Sequence, residues 1–260
     1  MGPRQREPSG PPPAPVVQKL RIRYAKRGRL RFSSTRDFQR ALQRALRRAA
    51  VPMAFSAGFH PHPKISYANA ASTGTASEAE YVEISVTERV DPDALRAALD
   101  AALPTGLDVV QVVEAGPGSL AERLEASDWA VAFRGIPAGT VAEATAAFLA
   151  TDRVEVTRVL KSGPRIFDAR AAVLSMTAAT AGSVAALTDV VPAECAIIRL
   201  VVRHTTPAVR PDDILTALRA VAGLEPPTPP LVVRLAQGPL RPGSVLVADP
   251  LAADEKADGA

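Results

Sequence analysis

The chain has 260 residues, 47% hydrophobic and 22% charged, a length that allows two domains with separate cores and the composition of a soluble globular protein. A single cysteine, Cys195, excludes an internal disulfide, a cysteine-ligated zinc and an iron–sulfur cluster held by this chain alone, which fits a reducing, cytoplasmic location. No apolar run approaches the ~18 residues of a membrane span, and the N-terminus lacks the basic-then-apolar order of a signal peptide, so no membrane partner is expected.

The net charge of +4 conceals an asymmetry. Residues 1–68 carry 15 Lys or Arg against two acids, Glu7 and Asp37, a balance of +13, while the remainder carries 16 against 25 and stands at −9. A basic front on an acidic body implies a localised anionic partner, with nucleic acid the first candidate and an acidic protein surface the second.

In chain order, residues 1–17 are rich in Pro, Gly and charge and read as a disordered arm. A strand is predicted over about 19–26, with Leu20, Ile22 and Tyr24 on a buried face and Arg21 and Arg23 on an open one. Ser33, Ser34 and Thr35 are N-cap candidates for a helix over about 36–50. Its stripe of Phe38, Ala41, Leu42, Ala45, Leu46 and Ala49 goes to the core, which leaves Arg36, Arg40, Arg44, Arg47 and Arg48 to solvent or to a ligand. Asp37 is the one acid beside five arginines, so pairing along the helix does not account for them. Pro52 ends the helix, and together with Gly58, Pro61 and Pro63 it keeps the connector Phe55-Ser56-Ala57-Gly58-Phe59-His60-Pro61-His62-Pro63-Lys64 out of regular structure.

Extended segments are predicted at about 64–69 and 80–87, separated by a turn through Ser72, Thr73 and Gly74. Asp91-Pro92-Asp93 starts a second helix with a cap, a first-turn proline and an acid at the positive dipole end, and a strand follows over 109–113. The order is β-α-β-β-α-β, the ferredoxin-like arrangement, over residues 18–119. Residues 120–128 read as a linker.

The second half, 129–236, repeats the plan. Val90-x-Pro92-Asp93-x-Leu95-x-x-Ala98-Leu99 finds an echo in Val209-x-Pro211-Asp212-x-Ile214-x-x-Ala217-Leu218, each after a strand. Strands are predicted at 129–133, 154–160, 196–202 and 231–235, and a helix at 137–150 with Val141, Ala144 and Phe148 inward. Residues 161–192 read as irregular, with room for a hairpin and a short helix. From Gln237 to the end the composition predicts a disordered tail. The expected fold class is therefore α+β, two tandem ferredoxin-like domains with disordered termini.

Several motifs of the first half carry a family resemblance: Lys26-x-Gly28-x-Leu30-Arg31-Phe32, Arg36-Asp37-Phe38, Arg44-Ala45-Leu46-Arg47-Arg48-Ala49, Ser56-x-Gly58-Phe59-x-Pro61-His62-Pro63-Lys64-Ile65-Ser66 and Ser77-Glu78-x-Glu80-Tyr81. Together they resemble the radical-SAM-linked family of bacterial proteins, found fused to the C-terminus of a radical SAM enzyme or as a separate chain. Lys161-Ser162-Gly163 with Phe167-Asp168-x-Arg170 is similar to a second, weaker motif of that family. The chain carries Thr35 where the family shows a histidine before the Arg-Asp pair. The resemblance implies a separate radical SAM enzyme as partner, because a cluster-binding enzyme needs cysteines that this chain lacks.

The connector admits three readings. A histidine acting as general base beside arginines suits RNA cleavage. A structural loop would pack Phe55 and Phe59 inward, and a stiff loop would bind an anion or another ligand. His60 and His62, two apart in an extended segment, point to opposite sides and make no chelate, so no metal and no cofactor are assigned. Neither a phosphate-cradling loop, a dinucleotide fingerprint nor a serine elbow occurs, and no catalytic residue is assigned. The candidate ligand-binding residues are Arg29, Arg31, Arg36, Arg40, Arg44, Arg47, Gly58, His60, His62 and Lys64 in the first half, with Lys161, Arg165, Asp168 and Arg170 in the second. Three functions compete: a non-catalytic accessory or substrate-binding module for a separate radical SAM enzyme, an RNA-binding or RNA-cleaving protein with Tyr81 as a stacking residue, and an adaptor for an acidic protein.

Overall fold

The computed structural model describes residues 13–160, 163–188 and 190–255. It is an α+β chain of two units, each drawing on more than one stretch of sequence: 13–70, 80–120 and 251–255 form the first among the described residues, and 71–79 with 121–250 the second.

In the first unit, β1 (Gln18–Lys26) leads to α1 (Thr35–Arg48), then β2 (Ile65–Ala68), β3 (Ala76–Val86), α2 (Pro92–Ala102) and β4 (Leu107–Glu114). The strand order is β4-β1-β3-β2. Strands β1 and β4 pair antiparallel from Leu20↔Glu114 to Lys26↔Leu107, with a bulge between Arg23 and Tyr24, and β2 pairs antiparallel with β3 from Ile65↔Ile84 to Ala68↔Tyr81. Period-2 alternation puts Leu20, Ile22, Tyr24, Val82 and Ile84 against the apolar stripe of α1 and Leu95 and Leu99 of α2. The Tyr24 and Phe38 rings stack at 4.0 Å between centroids and fix α1 on the sheet. Both helix starts follow from their caps. Ser34 Oγ accepts from Asp37 N while Asp37 accepts from Ser34 N, and Asp91 Oδ1 accepts from Ala94 N at 2.8 Å. The hydrogen bonds from Ser34, side chain first and backbone second, hold the Asp37 carboxyl below the usual carboxylate value.

The other face of this sheet departs from the expectation of an open, arginine-bearing surface. Arg21 is 1% exposed. The cause lies at the far end of the chain: the short helix α5 (Ala252–Glu255) belongs to this unit, and Asp254, also 1% exposed, accepts from Arg21 at 2.8 and 2.9 Å. Glu83 accepts from Arg21 Nε at 2.9 Å and the Gly118 carbonyl from its remaining nitrogen, while Asp254 also accepts from Gly116 N at 3.0 Å. Burial pulls the Arg21 guanidinium down, and the bonds to Asp254 and Glu83 more than offset it, so Arg21 stays cationic. Tyr81, expected as a stacking residue on an open sheet face, is 3% exposed and unavailable to a ligand.

In the second unit, β5 (Ala126–Phe133), α3 (Ala138–Leu149), the separate hairpin β6 (Glu155–Leu160) and β7 (Gly163–Asp168), β8 (Val173–Thr180), β9 (Ala196–Arg203), α4 (Pro211–Ala222) and β10 (Leu231–Gly238) follow in order. The strand order is β10-β5-β9-β8, and the start of β3 pairs parallel to β10 at Val233↔Ala76. Strand β5 is buried at every residue. One face of the sheet packs on Val141, Ala144 and Phe148 of α3 and Ile214 and Leu218 of α4, the other on Val184, Leu187 and Val191. The stretch 161–192, expected to be irregular with room for a hairpin and a short helix, supplies β7, β8 and three 3-10 turns among the described residues; β8 is an edge strand with mixed burial and its sequence shows no apolar alternation.

The tail expected to be disordered from Gln237 is ordered over 237–255, and its remainder lies outside the described residues. Strand β10 runs to Gly238, Leu240 and Val247 form a bridge, and Leu251 and Asp254 are buried. Gly238 permits the close return, since a Cβ there would run into the Ala248 carbonyl oxygen. Gly238→Ala is expected to lower the urea midpoint and open the 239–250 turn to limited proteolysis, because the obstacle is backbone rather than a movable side chain.

His204 follows β9 in this unit. Its Nδ1 lies 2.7 Å from the Leu124 carbonyl oxygen, which can only accept, so Nδ1 carries the proton and Nε2 accepts from the Ser127 hydroxyl at 2.8 Å. Burial is the main cause holding the imidazole below its usual value, against the opposing effect of the Leu124 bond. The unfolded chain therefore binds more protons than the folded one once the pH falls below about 6.5, and stability declines from there toward the lower folded value. Urea midpoints measured from pH 7.5 down to 5.5 should fall in the natural protein, and His204→Gln should remove that part of the slope.

Candidate functional site

The densest unneutralised charge among the described residues lies on α1. Arg36, Arg40, Arg44, Arg47 and Arg48 are all exposed, opposite the buried Phe38, Ala41, Leu42, Ala45 and Leu46. None of these guanidinium groups makes an ion pair or a side-chain hydrogen bond among the described residues. At 100° per residue, Arg36, Arg40, Gln43 and Arg47 fall within one narrow stripe, flanked by Arg44. Just before the helix, the 3-10 turn Gly28–Phe32 carries Arg29 and Arg31, and Arg31 lies over the exposed Phe32 ring at 4.4 Å.

The connector after α1 is pinned at its stem. Ala54 N donates to Ser85 O at 2.8 Å, Lys64 N to Ala54 O at 2.8 Å and Ser85 N to Lys64 O at 3.1 Å, tying both ends to β3. Above that, Phe55 and Pro63 form a bridge, Ser56 N donates to His62 O at 2.8 Å, and Ser56 Oγ accepts from His62 N at 3.0 Å. Gly58 sits at φ +129°, a region that favours glycine, with open space around it. His60, His62 and Lys64 are exposed, and neither imidazole ring makes a hydrogen bond among the described residues. Nothing orients either ring as a base.

The reading of the connector as a structural loop with Phe55 and Phe59 packed inward does not hold for those rings, which are 44% and 63% exposed. The backbone bonds of the stem already close the loop, and its short span leaves no core for the rings to enter. Phe55 instead joins Pro63, Met53, Val51 and Leu46 in lining an apolar depression of about 170 Å³ whose polar members are Gln43 and Arg47 of α1. The connector and the arginine helix thus meet at one surface. Sequence reading found the arginines and the proline–histidine run but missed Val51, Met53 and Gln43; the available signal was the apolar-x-apolar-x-aromatic spacing of 51, 53 and 55.

The second-half residues have different roles. Asp168 Oδ1 accepts from Val154 N at 3.1 Å and Arg170 N at 2.9 Å, which fixes the turn out of β7. Arg170 donates to Val173 O and lies over the Phe148 ring, so both side chains are engaged within their own unit. Arg165 is exposed on the hairpin opposite Arg158, which is tied to Asp213. Lys161 lies outside the described residues. Among the described residues no group of three His, Cys, Asp or Glu side chains could hold a metal ion, and no helix is long and apolar enough to cross a membrane.

The first unit thus presents a row of exposed arginines on α1 beside an apolar depression. Compared with known families, residues 19–211 match the model described as "Uncharacterized protein conserved in bacteria (DUF2344)", and the chain belongs to that family. No curated protein matches the chain.

Proposed function

We propose that this protein is a non-catalytic accessory module that binds RNA through the arginine face of α1 and the connector 55–64, and presents it to a separate radical SAM enzyme in the cytoplasm. The observation that carries the binding half is the row Arg36, Arg40, Arg44 and Arg47, exposed and outside any salt bridge among the described residues, with Asp37 as the one carboxylate that acts on the row, through Arg40. An exposed guanidinium row of this kind gains most from regularly spaced phosphates, which accept its planar fork and release condensed counterions. Arg29, Arg31 and Lys64, all on the same unit, extend the basic surface.

The enzyme half rests on the motif resemblance, and the cytoplasmic location on the single Cys195. The scaffold is read as two ferredoxin-like repeats. Its support is the order β4-β1-β3-β2 in one unit and β10-β5-β9-β8 in the other, each built β-α-β-β-α-β, with the hairpin β6–β7 inserted in the second. Val90-x-Pro92-Asp93 and Val209-x-Pro211-Asp212 lead into the equivalent helices α2 and α4.

Fluorescence anisotropy with labelled RNA tests the binding half. Log affinity should fall linearly as log salt rises from about 50 to about 200 mM, with a slope that counts the phosphates engaged. No binding at the lower salt removes RNA as the ligand. Affinity purification from native extract tests the other half, with a radical SAM protein identified in the eluate as the expected result and its absence under RNA-preserving conditions as the contrary one.

A further inference from the structure

We infer that the RNA is taken single-stranded, with one unpaired base seated in the depression against Phe55; this rests on the RNA-binding reading above. The depression lies at the edge of the arginine row rather than apart from it, because Arg47 belongs to both. Its walls are Val51, Met53, Phe55 and Pro63, and the Phe55 ring is 44% exposed with no aromatic partner among the described residues. An exposed ring costs the free protein solvation, and a base stacked on it removes both apolar faces from water.

The rim separates a base from an apolar peptide side chain. Gln43 offers an amide donor and an acceptor, and Arg47 a planar fork of donors, so the opening is polar on the α1 side and apolar on the connector side. A nucleobase has that division, with π faces and a hydrogen-bonding edge, whereas a leucine or phenylalanine of an acidic partner would leave the polar rim unused. A duplex keeps its bases stacked inside and presents phosphates alone, which would engage α1 and leave the depression empty. The stem hydrogen bonds of Ala54, Ser56 and Lys64 hold Phe55 in place before binding, so little ordering is needed when the base arrives.

The test uses the full chain and four probes: a labelled oligoadenylate RNA, the same length of RNA duplex, an abasic ribose-phosphate strand, and a polyglutamate peptide carrying one phenylalanine. The oligoadenylate should bind about tenfold or more tightly than the duplex and the abasic strand. Phe55→Leu, which keeps the site apolar, should bring oligoadenylate down to the abasic level. Phe55→Trp should retain tight binding. An unchanged urea midpoint reports that each variant is folded. Equal affinity for oligoadenylate and the abasic strand, or a Phe55→Leu protein that binds as the natural one, overturns the base-docking inference while RNA binding itself stands. Preference for the polyglutamate peptide also overturns it and points to an acidic protein. If none of the RNA probes binds at low salt, the RNA reading fails with it.

Discussion

Asp254→Ala should lower the free energy of unfolding by about 3 kcal/mol, read as a shift in urea midpoint with the slope unchanged. Removing one partner of a buried pair leaves an uncompensated charge, and losses of this kind run to roughly 3–5 kcal/mol. The lower end applies because Glu83 still accepts from Arg21 Nε at 2.9 Å and the Gly118 carbonyl still takes another of its protons. The neighbouring Glu255, exposed and bonded to Gln111, is the control: Glu255→Ala should change stability by less than about 0.5 kcal/mol. Replacing both partners, Arg21→Met with Asp254→Leu, should cost less than the sum of the two single changes, since no lone charge remains between Gly116, Gly118 and the sheet. RNA affinity should survive Asp254→Ala at temperatures where the protein is folded, because α1 packs on the Leu20, Ile22 and Tyr24 face of β1 and Arg21 points to the other.

The second large effect is on binding. Arg40→Glu combined with Arg47→Glu should weaken RNA affinity for every sequence tested and flatten the salt slope by about two, one for each phosphate that is no longer neutralised. Neither residue makes a salt bridge among the described residues, both are exposed, and the Arg40 attraction to exposed Asp37 is a weak surface one, so the melting temperature should hardly move. Arg36→Gln with Arg48→Gln separates the stripe from general charge: Arg36 lies in line with Arg40 and Arg47, while Arg48 lies about a third of a turn away. A slope that responds equally to any two arginines of α1 would mean diffuse attraction, not an aligned row.

Local pattern made α1 readable. The spacing of Phe38, Ala41, Leu42, Ala45 and Leu46 is a property of one short run of consecutive residues, and each of these side chains is buried. The cap at Asp91 and the first-turn Pro92 are local in the same sense. Alternation along β1 located its core face but could not reveal that Arg21 is buried as well, because the covering group arrives 233 residues later, in a Pro- and acid-bearing stretch where Leu251 is the one large apolar residue that is fully buried. The rule that aromatic residues go inside failed at Phe55 and Phe59, where backbone hydrogen bonds close the connector without their help. Asp168 and Arg170 carry a motif, and the motif describes a turn: the carboxylate bonds two backbone amides and the guanidinium fills space over Phe148. Residue type alone gave no means of telling those uses from ligand binding.

The Arg21–Asp254 bond sets an order on synthesis. A ribosome adds residues at roughly 5–20 per second, so Arg21 emerges many seconds before the carboxylate that neutralises it. Throughout that interval the nascent first unit holds a cation in its sheet with Glu83 as its only acidic partner among the described residues. Its full stability waits until residues 251–255 have left the ribosome, so a chain cut before Leu251 would hold Arg21 without its second carboxylate.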